Sequence, residues 1–214
     1  MMIRFIGDVH GKFRQYKSII EEVPRSIQVG DMGVGFYIKD MDGNRVSWAN
    51  PPYDAISKGD HKFIRGNHDN PAVCAQQDYY IPDGSTYEGM MFVGGALSID
   101  RMWRTQGWDW WADEEVSPEQ FKIYREVYAN YKPKIMVTHE CPHFISKEIL
   151  QAFNKVKFND PSHTPIELEQ MYDLHQPKLW IFGHWHHSLR VKFGETEFVC
   201  LNELEYMDIN LEDF

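Results

Sequence analysis

The chain lacks any apolar run approaching the roughly 20 residues that a membrane-spanning helix needs. Its opening, Met1-Met2-Ile3-Arg4-Phe5-Ile6, runs straight into Gly7-Asp8 and leaves no room for a cleavable signal peptide. A cytoplasmic protein with no membrane contact is the expectation. Cysteine is scarce: Cys74, Cys141 and Cys200 are odd in number and have no CxxC spacing, which argues against a disulfide framework or a zinc knuckle. Basic residues are outnumbered, 22 Lys and Arg against 32 Asp and Glu. The net charge of −10 argues against a long nucleic-acid footprint, which requires a basic stripe. Internal repeats, low-complexity runs and Gly/Ser linkers are missing too, so residues 1–214 read as one domain with a large core.

What the chain does contain is a series of apolar runs, each followed by a short polar exit. Met2–Ile6 reads as a buried strand ending at Gly7-Asp8. Phe13, Tyr16, Ile19, Ile20 and Val23 recur at helical spacing until Pro24 closes the helix. Residues 26–29 form the next strand and lead into Gly30-Asp31. The opening is therefore β-α-β with an acidic residue at each strand exit, where open α/β sheets bind ligands. Further strands are expected at 61–64, Met90–Val93, 135–137, Leu179–Phe182, Leu189–Phe193 and 198–201, with 208–214 as an edge or frayed end. Ser117-Pro118-Glu119-Gln120 and Thr164-Pro165-Ile166-Glu167 both read as capping boxes that open helices.

Two stretches depart from this rhythm. Residues 36–49 flank the turn signal Asp42-Gly43 and read as a hairpin excursion, structural or a flap over a site. Residues 101–115 gather Trp103, Trp108, Trp110 and Trp111, which suit either an aromatic lid packed on the domain or a stacking wall for a substrate. Arg101 and Arg104, beside them, suit a second phosphate or a surface carboxylate.

The polar exits concentrate the chemistry. They are Gly7-Asp8-Val9-His10-Gly11, Gly30-Asp31, Gly66-Asn67-His68-Asp69, Thr138-His139 and Gly183-His184-Trp185-His186. Asp8 and His10, two apart at a strand exit, can face one cation. Asp31, from a neighbouring strand, can bridge two with its two oxygens. Asn67 adds a neutral carbonyl oxygen, and His139, His184 and His186 add imidazoles. A lone Asp-x-His or His-x-His pair is a weak signal, but five such segments in this order supply a ligand set for two divalent ions. Such sites mostly hydrolyse phosphate esters.

The order GDVHG, GD, RGNHD, THECP and GHWH resembles the calcineurin-like metallophosphoesterase superfamily across Asp8 to His186. The resemblance implies an α/β fold, a β-sandwich of two mixed sheets flanked by helices. It implies Asp8, His10, Asp31 and His186 on one metal, and Asp31, Asn67, His139 and His184 on the second. His68 falls on the histidine that protonates the leaving oxygen, Asp69 on its orienting partner, and Arg65 on an arginine that grips phosphate, with Asn67 also facing substrate. Arg65 has a structural rival reading, a salt bridge to a neighbouring carboxylate. The implied reaction is in-line attack of a metal-bridging hydroxide with inversion at phosphorus. The expected cofactor is Mn²⁺, two ions per chain, although the same ligands accept Fe, Zn, Ni or Co.

The second motif reads Gly30-Asp31-Met32-Gly33-Val34-Gly35 and lacks the Asp-Arg pair of the Ser/Thr phosphoprotein phosphatases. Gly94-Gly95-Ala96-Leu97-Ser98-Ile99-Asp100-Arg101 instead resembles bacterial and phage-type members. The expected substrate is therefore a small phosphoester, a nucleotide or a nucleic-acid end, with diesters leading. A protein phosphatase is the alternative within the class, and a non-catalytic partner-binding scaffold is the alternative outside it.

Overall fold

The computed structural model describes residues 1–47, 50–152 and 162–214. In chain order its elements begin with β1 (Met2–Ile6), α1 (Phe13–Ile20), β2 (Arg25–Gln28), β3 (Tyr37–Lys39), β4 (Arg45–Ser47), α2 (Tyr53–Ile56), β5 (Asp60–Phe63), α3 (Pro71–Cys74), β6 (Thr86–Tyr87) and β7 (Met90–Val93). They continue with α4 (Pro118–Tyr131), β8 (Ile135–Thr138), α5 (His143–Ala152), α6 (Thr164–Leu174), β9 (Leu179–Phe182), β10 (Leu189–Phe193), β11 (Thr196–Cys200) and β12 (Tyr206–Asn210).

Side chains alternate across a strand, and the strands divide their apolar residues accordingly. From β1, β7, β8 and β9, the residues Ile3, Phe5, Met90, Phe92, Ile135, Val137, Leu179 and Ile181 share one core. That core lies between a four-stranded sheet, ordered β12-β1-β2-β5, and a six-stranded sheet, ordered β10-β11-β9-β8-β7-β6. The opposite faces of the same strands carry Met91, Met136, Trp180 and Phe182, which pack with Phe121, Ile145 and Leu168 of the helices α4, α5 and α6. On the other outer side, Ile6 and Phe63 meet Tyr16 and Ile20 of α1. The result is the expected two-sheet sandwich between helical layers.

Both sheets are mixed. β1, β2 and β5 run parallel, as do β7, β8, β9 and β11, while β12, β10 and β6 join antiparallel at the edges. Parallel strands place their carboxyl ends together, and that shared end is where the polar exits converge. The tail expected at 208–214 as edge or frayed end contributes to β12, which pairs along the whole of β1 from Met2↔Asn210 to Ile6↔Tyr206. Arg4 anchors it, its Nε and Nη2 donating to the two carboxylate oxygens of Asp208 at 2.8 and 2.9 Å.

The first capping box forms as expected, with Ser117 and Gln120 exchanging side-chain and backbone bonds at the start of α4. The second does not. His163 stands at the N-cap of α6 without a side-chain cap, and the Thr164 hydroxyl donates to Glu115 Oε1 at 2.8 Å instead. A half-buried carboxylate that needs donors outcompetes the local turn. The excursion expected at 36–49 is a two-stranded hairpin, β3-β4, separate from both large sheets, and its residues 48 and 49 lie outside the described residues. It grips the Trp-rich segment: Tyr37 N–H donates to the Trp108 carbonyl at 2.9 Å, and the Arg45 guanidinium lies 5.6 Å from the Trp108 ring.

Candidate metal centre and cleft

Asp8 follows β1, Asp31 follows β2, Asn67 follows β5, His139 follows β8 and His184 follows β9. Glycine permits this convergence where backbone passes carboxylate. A Cβ on Gly66 would collide with Asp31 Oδ1, and one on Gly183 would collide with Asp8 Oδ1. Among the described residues seven non-glycines have positive φ. Four of them are candidate ligands: His10 (48°), Asp31 (61°), His184 (67°) and His186 (50°). Such conformations cost of order 1–3 kcal/mol each and gather where a site over-determines them.

The ligand atoms fall into two groups, Asp8, His10, Asp31 and His186, and Asp31, His139 and His184, with the atoms of each group within 4.8 Å of one another. Asp31 belongs to both. Asn67 Oδ1 joins the second group, 3.1 Å from His139 Nε2 and 3.0 Å from His184 Nδ1. In the first group His10 Nε2 and His186 Nε2 approach to 2.8 Å, and Asp8 Oδ2 lies 3.0 Å from His186 Nε2.

The donor chemistry fits divalent ions on two counts. Asp8 and Asp31 are buried, and among the described residues their ion-pair partners are imidazoles alone. Two buried carboxylates without Lys or Arg need positive charge at that point. The same demand appears at His139: burial opposes its charge, but Asp31 and Asp8 outweigh burial and push its pKa up to about 10. Asp31 itself is held well below the usual carboxylate range, because His68 and His139 overcome its burial. The second count is orientation. His139 Nδ1 faces the Val29 carbonyl at 2.9 Å, which turns Nε2 toward the centre. His184 Nε2 faces Glu140 at 3.4 Å, which turns Nδ1 the same way. Outer partners of this kind fix tautomers at metal sites.

Three supporting residues carry no role in the sequence reading. Glu140 is buried and also accepts from the Trp185 indole at 2.7 Å, so it braces the final motif. Ser98 accepts from Asn67 Nδ2 at 3.0 Å and donates to Glu114 at 2.6 Å, which aims the Asn67 carbonyl at the centre. Glu140 sits beside His139, so its neighbour was a usable signal. The Ser98–Glu114 pair is far from Asn67 in sequence and gave none.

Two assignments implied by the resemblance need correction. Arg65 does not face the cleft. It is buried, donates from Nε to Asp83 at 2.7 Å and from Nη1 to the Asp113 and Glu114 carbonyls at 3.1 and 2.7 Å. The salt-bridge reading holds, because every direction of the guanidinium fork that these bonds use points into protein. Asp69 does not orient the His68 ring. Its carboxylate accepts backbone N–H groups of Met32, Gly33, Val34 and Gly66, pinning the Gly30-Asp31 loop to the Asn67 loop. Asn67 donates from Nδ2 to Ser98, with its Oδ1 toward the ligand histidines.

His68 is oriented from elsewhere. Arg104 donates from Nη2 to His68 Nε2 at 2.8 Å, and Arg104 is itself clamped by both carboxylate oxygens of Asp100 at 2.6 and 2.8 Å. His68 Nδ1 lies 2.9 Å from His10 Nδ1 and 3.3 Å from Asp31 Oδ2. Burial, joined by the Arg104 and His10 charges against the pull of Asp31, lowers the His68 pKa to about 4 and keeps the ring neutral. A cleft of about 510 Å³ opens above this residue. Within the Trp-rich segment Trp111 is buried, whereas Trp103 is 80% exposed and borders the cleft.

A family model described as calcineurin-like phosphoesterase matches residues 1–188. Among solved structures, GAP50, the anchor in the inner membrane complex of Plasmodium, gives a TM-score of 0.51 at 12% identity over 94% of this chain and 71% of that one. A candidate 5′-nucleotidase from Staphylococcus aureus, solved in complex with α-ketoglutarate, gives 0.51 at 14% identity over 97% of this chain. This chain spans 50% of that protein's length. At these identities the likeness is one of fold. No curated protein sequence matches the chain.

Proposed function

The chain belongs to the calcineurin-like phosphoesterase family and is a hydrolase of phosphoric esters; from that premise we propose that it cleaves small or nucleotide-type phosphoesters at a two-metal centre. The observation that carries this reading is the pair of ligand groups sharing Asp31, whose buried carboxylates have imidazoles as their ion-pair partners among the described residues. Asp8, His10, Asp31 and His186 would hold one ion, and Asp31, Asn67, His139 and His184 the other. Bound there, divalent ions would neutralise the phosphoryl oxygens and acidify the attacking water.

The chain's own contribution to the chemistry is His68. The Arg104 bond to Nε2 assigns the ring proton to Nδ1, the atom that faces His10 and Asp31. A substrate seated against the ligand groups would therefore meet a neutral N–H that can hydrogen-bond to its leaving oxygen, without itself giving up the proton. Asp69 keeps His68 in reach by holding the two loops together, and Arg104 with Asp100 sets the ring angle. The anchor role named for the Plasmodium neighbour describes a scaffold, but here every expected ligand position is filled, which favours hydrolysis.

His68→Ala is the first test, with bis-p-nitrophenyl phosphate and a phosphopeptide assayed side by side in Mn²⁺. The expected outcome is preferential cleavage of the diester, a loss of about 10²–10⁴-fold in turnover for the variant, and unchanged metal content. Undiminished turnover would refute the hydrogen-bonding role of His68. Preference for the phosphopeptide would move the reading to a protein phosphatase.

A further inference from the structure

Beyond the ligands His10 and His186, the cleft beside His68 is lined by side chains that the metal chemistry does not use. We propose that it is a leaving-group subsite for a nucleoside, with the Trp103 indole as the stacking surface; this rests on the hydrolytic reading above and names its substrate class. At about 510 Å³ the cleft falls within the range of small-molecule sites, roughly 300–1,000 Å³. Its position fits the leaving group, because Trp103 and Arg104 line it together with His68, the residue placed at the departing oxygen.

Exposure of one tryptophan means little alone, since scattered apolar residues are normal on surfaces. The mounting of this one is more informative. Trp103 ends a 3₁₀ turn, Arg101–Trp103, and its N–H donates to the Asp100 carbonyl at 2.9 Å. The next residue, Arg104, is tied back to the Asp100 carboxylate by two bonds and to the Asp109 carbonyl by a third at 3.1 Å. The indole is thus carried on a braced turn at the cleft mouth, and Ile38 of the hairpin, 42% exposed, lines the same cleft. Exposed aromatic faces beside a cleft take planar groups, and every nucleobase offers one.

Charge selects what accompanies the planar group. The lining holds one guanidinium, Arg104, against two carboxylates, Asp100 and Asp109. Arg104 is already engaged by Asp100, Asp109 and His68, so it has little to offer a second phosphate, and the two carboxylates repel one. Carboxylates accept from hydroxyls, however, and a ribose presents them. A planar base, a hydroxyl-bearing neutral sugar and a single phosphate describe a nucleoside ester with one phosphate better than a polyphosphate or a phosphoserine peptide.

The test compares adenosine 5′-monophosphate, adenosine 5′-diphosphate and glycerol phosphate on wild type, Trp103→Ala and Trp103→Phe in Mn²⁺. Both calorimetric binding and phosphate release are measured. Removal of a stacking aromatic is expected to reduce the preference for the monophosphate over glycerol phosphate by roughly 5- to 150-fold, with Trp103→Phe retaining most of it. A preference that Trp103→Ala leaves intact overturns the subsite, as does tighter binding of the diphosphate than of the monophosphate in wild type. The two readings fail separately. Trp103-dependent nucleotide binding without turnover of any ester keeps the subsite and removes the hydrolytic assignment. Hydrolysis of both monoesters with no dependence on Trp103 does the reverse.

Discussion

Asp31→Asn is expected to lower kcat/KM by on the order of 10³-fold, about 4 kcal/mol of transition-state stabilisation. Asp31 is the one side chain common to both ligand groups, so its loss acts on both at once. The change is nearly isosteric, and the backbone tolerates it: φ is +61° at this position, and Asn visits the left-handed region about as readily as Asp. An amide oxygen can still accept the His68 N–H that Asp31 Oδ1 accepts at 2.7 Å. What the amide cannot supply is a second anionic oxygen toward His10 and His68, where its NH₂ would face the centre as a donor. Bound metal should fall from two ions per chain to one or none, measured by elemental analysis after dialysis. A variant that retains two ions and loses less than tenfold in kcat/KM would show that Asp31 is not shared.

Arg65→Met should act on stability instead of chemistry. Removing one member of a buried ion pair strands the other, and the cost is about 3–5 kcal/mol. For a chain of this size that is roughly 6–20 °C in Tm. The Asp83 side chain is 9% exposed and would keep the Gly94 N–H at 2.6 Å as a partner, while the Asp113 and Glu114 carbonyls would lose their donor. Below the transition, kcat/KM should stay within a few-fold of wild type, because the guanidinium does not reach the cleft. The double variant Arg65→Met/Asp83→Leu should recover part of the lost stability, since it removes the stranded carboxylate too. A single variant that melts normally but loses turnover would restore the phosphate-gripping role.

Arg65 shows why part of this site was legible in sequence and part was not. The strand exits could be read because each is a local event: an apolar run, a glycine, then a ligand. Met90–Val93 and Leu179–Phe182 fall where the pattern places them, and the structure gathers six candidate ligands, with Asn67 beside two of them, at the shared end of the parallel strands. The partners of those residues are not local. Arg65 could have turned toward phosphate or toward a carboxylate, and the choice was made by Asp83 and by two carbonyls almost 50 residues downstream, |i−j| being 48 and 49. Asp69 follows the same logic. Its motif position suggested a histidine partner, but four backbone N–H groups on two converging loops needed an acceptor, and a buried carboxylate satisfies them. Thr164 lost its capping role to Glu115 in the same way. Arg104 was open between phosphate and carboxylate in the sequence, and its i,i+4 partner Asp100 settled it, with His68 as the unforeseen second contact.

We expect ester hydrolysis to depend on two ion sites joined by Asp31. Titrating chelator-stripped protein with Mn²⁺ while following hydrolysis of bis-p-nitrophenyl phosphate tests it most directly. The expected course is no turnover without metal, and full turnover once two ions per chain are bound. Full turnover in excess chelator, or saturation at one ion per chain, would contradict it.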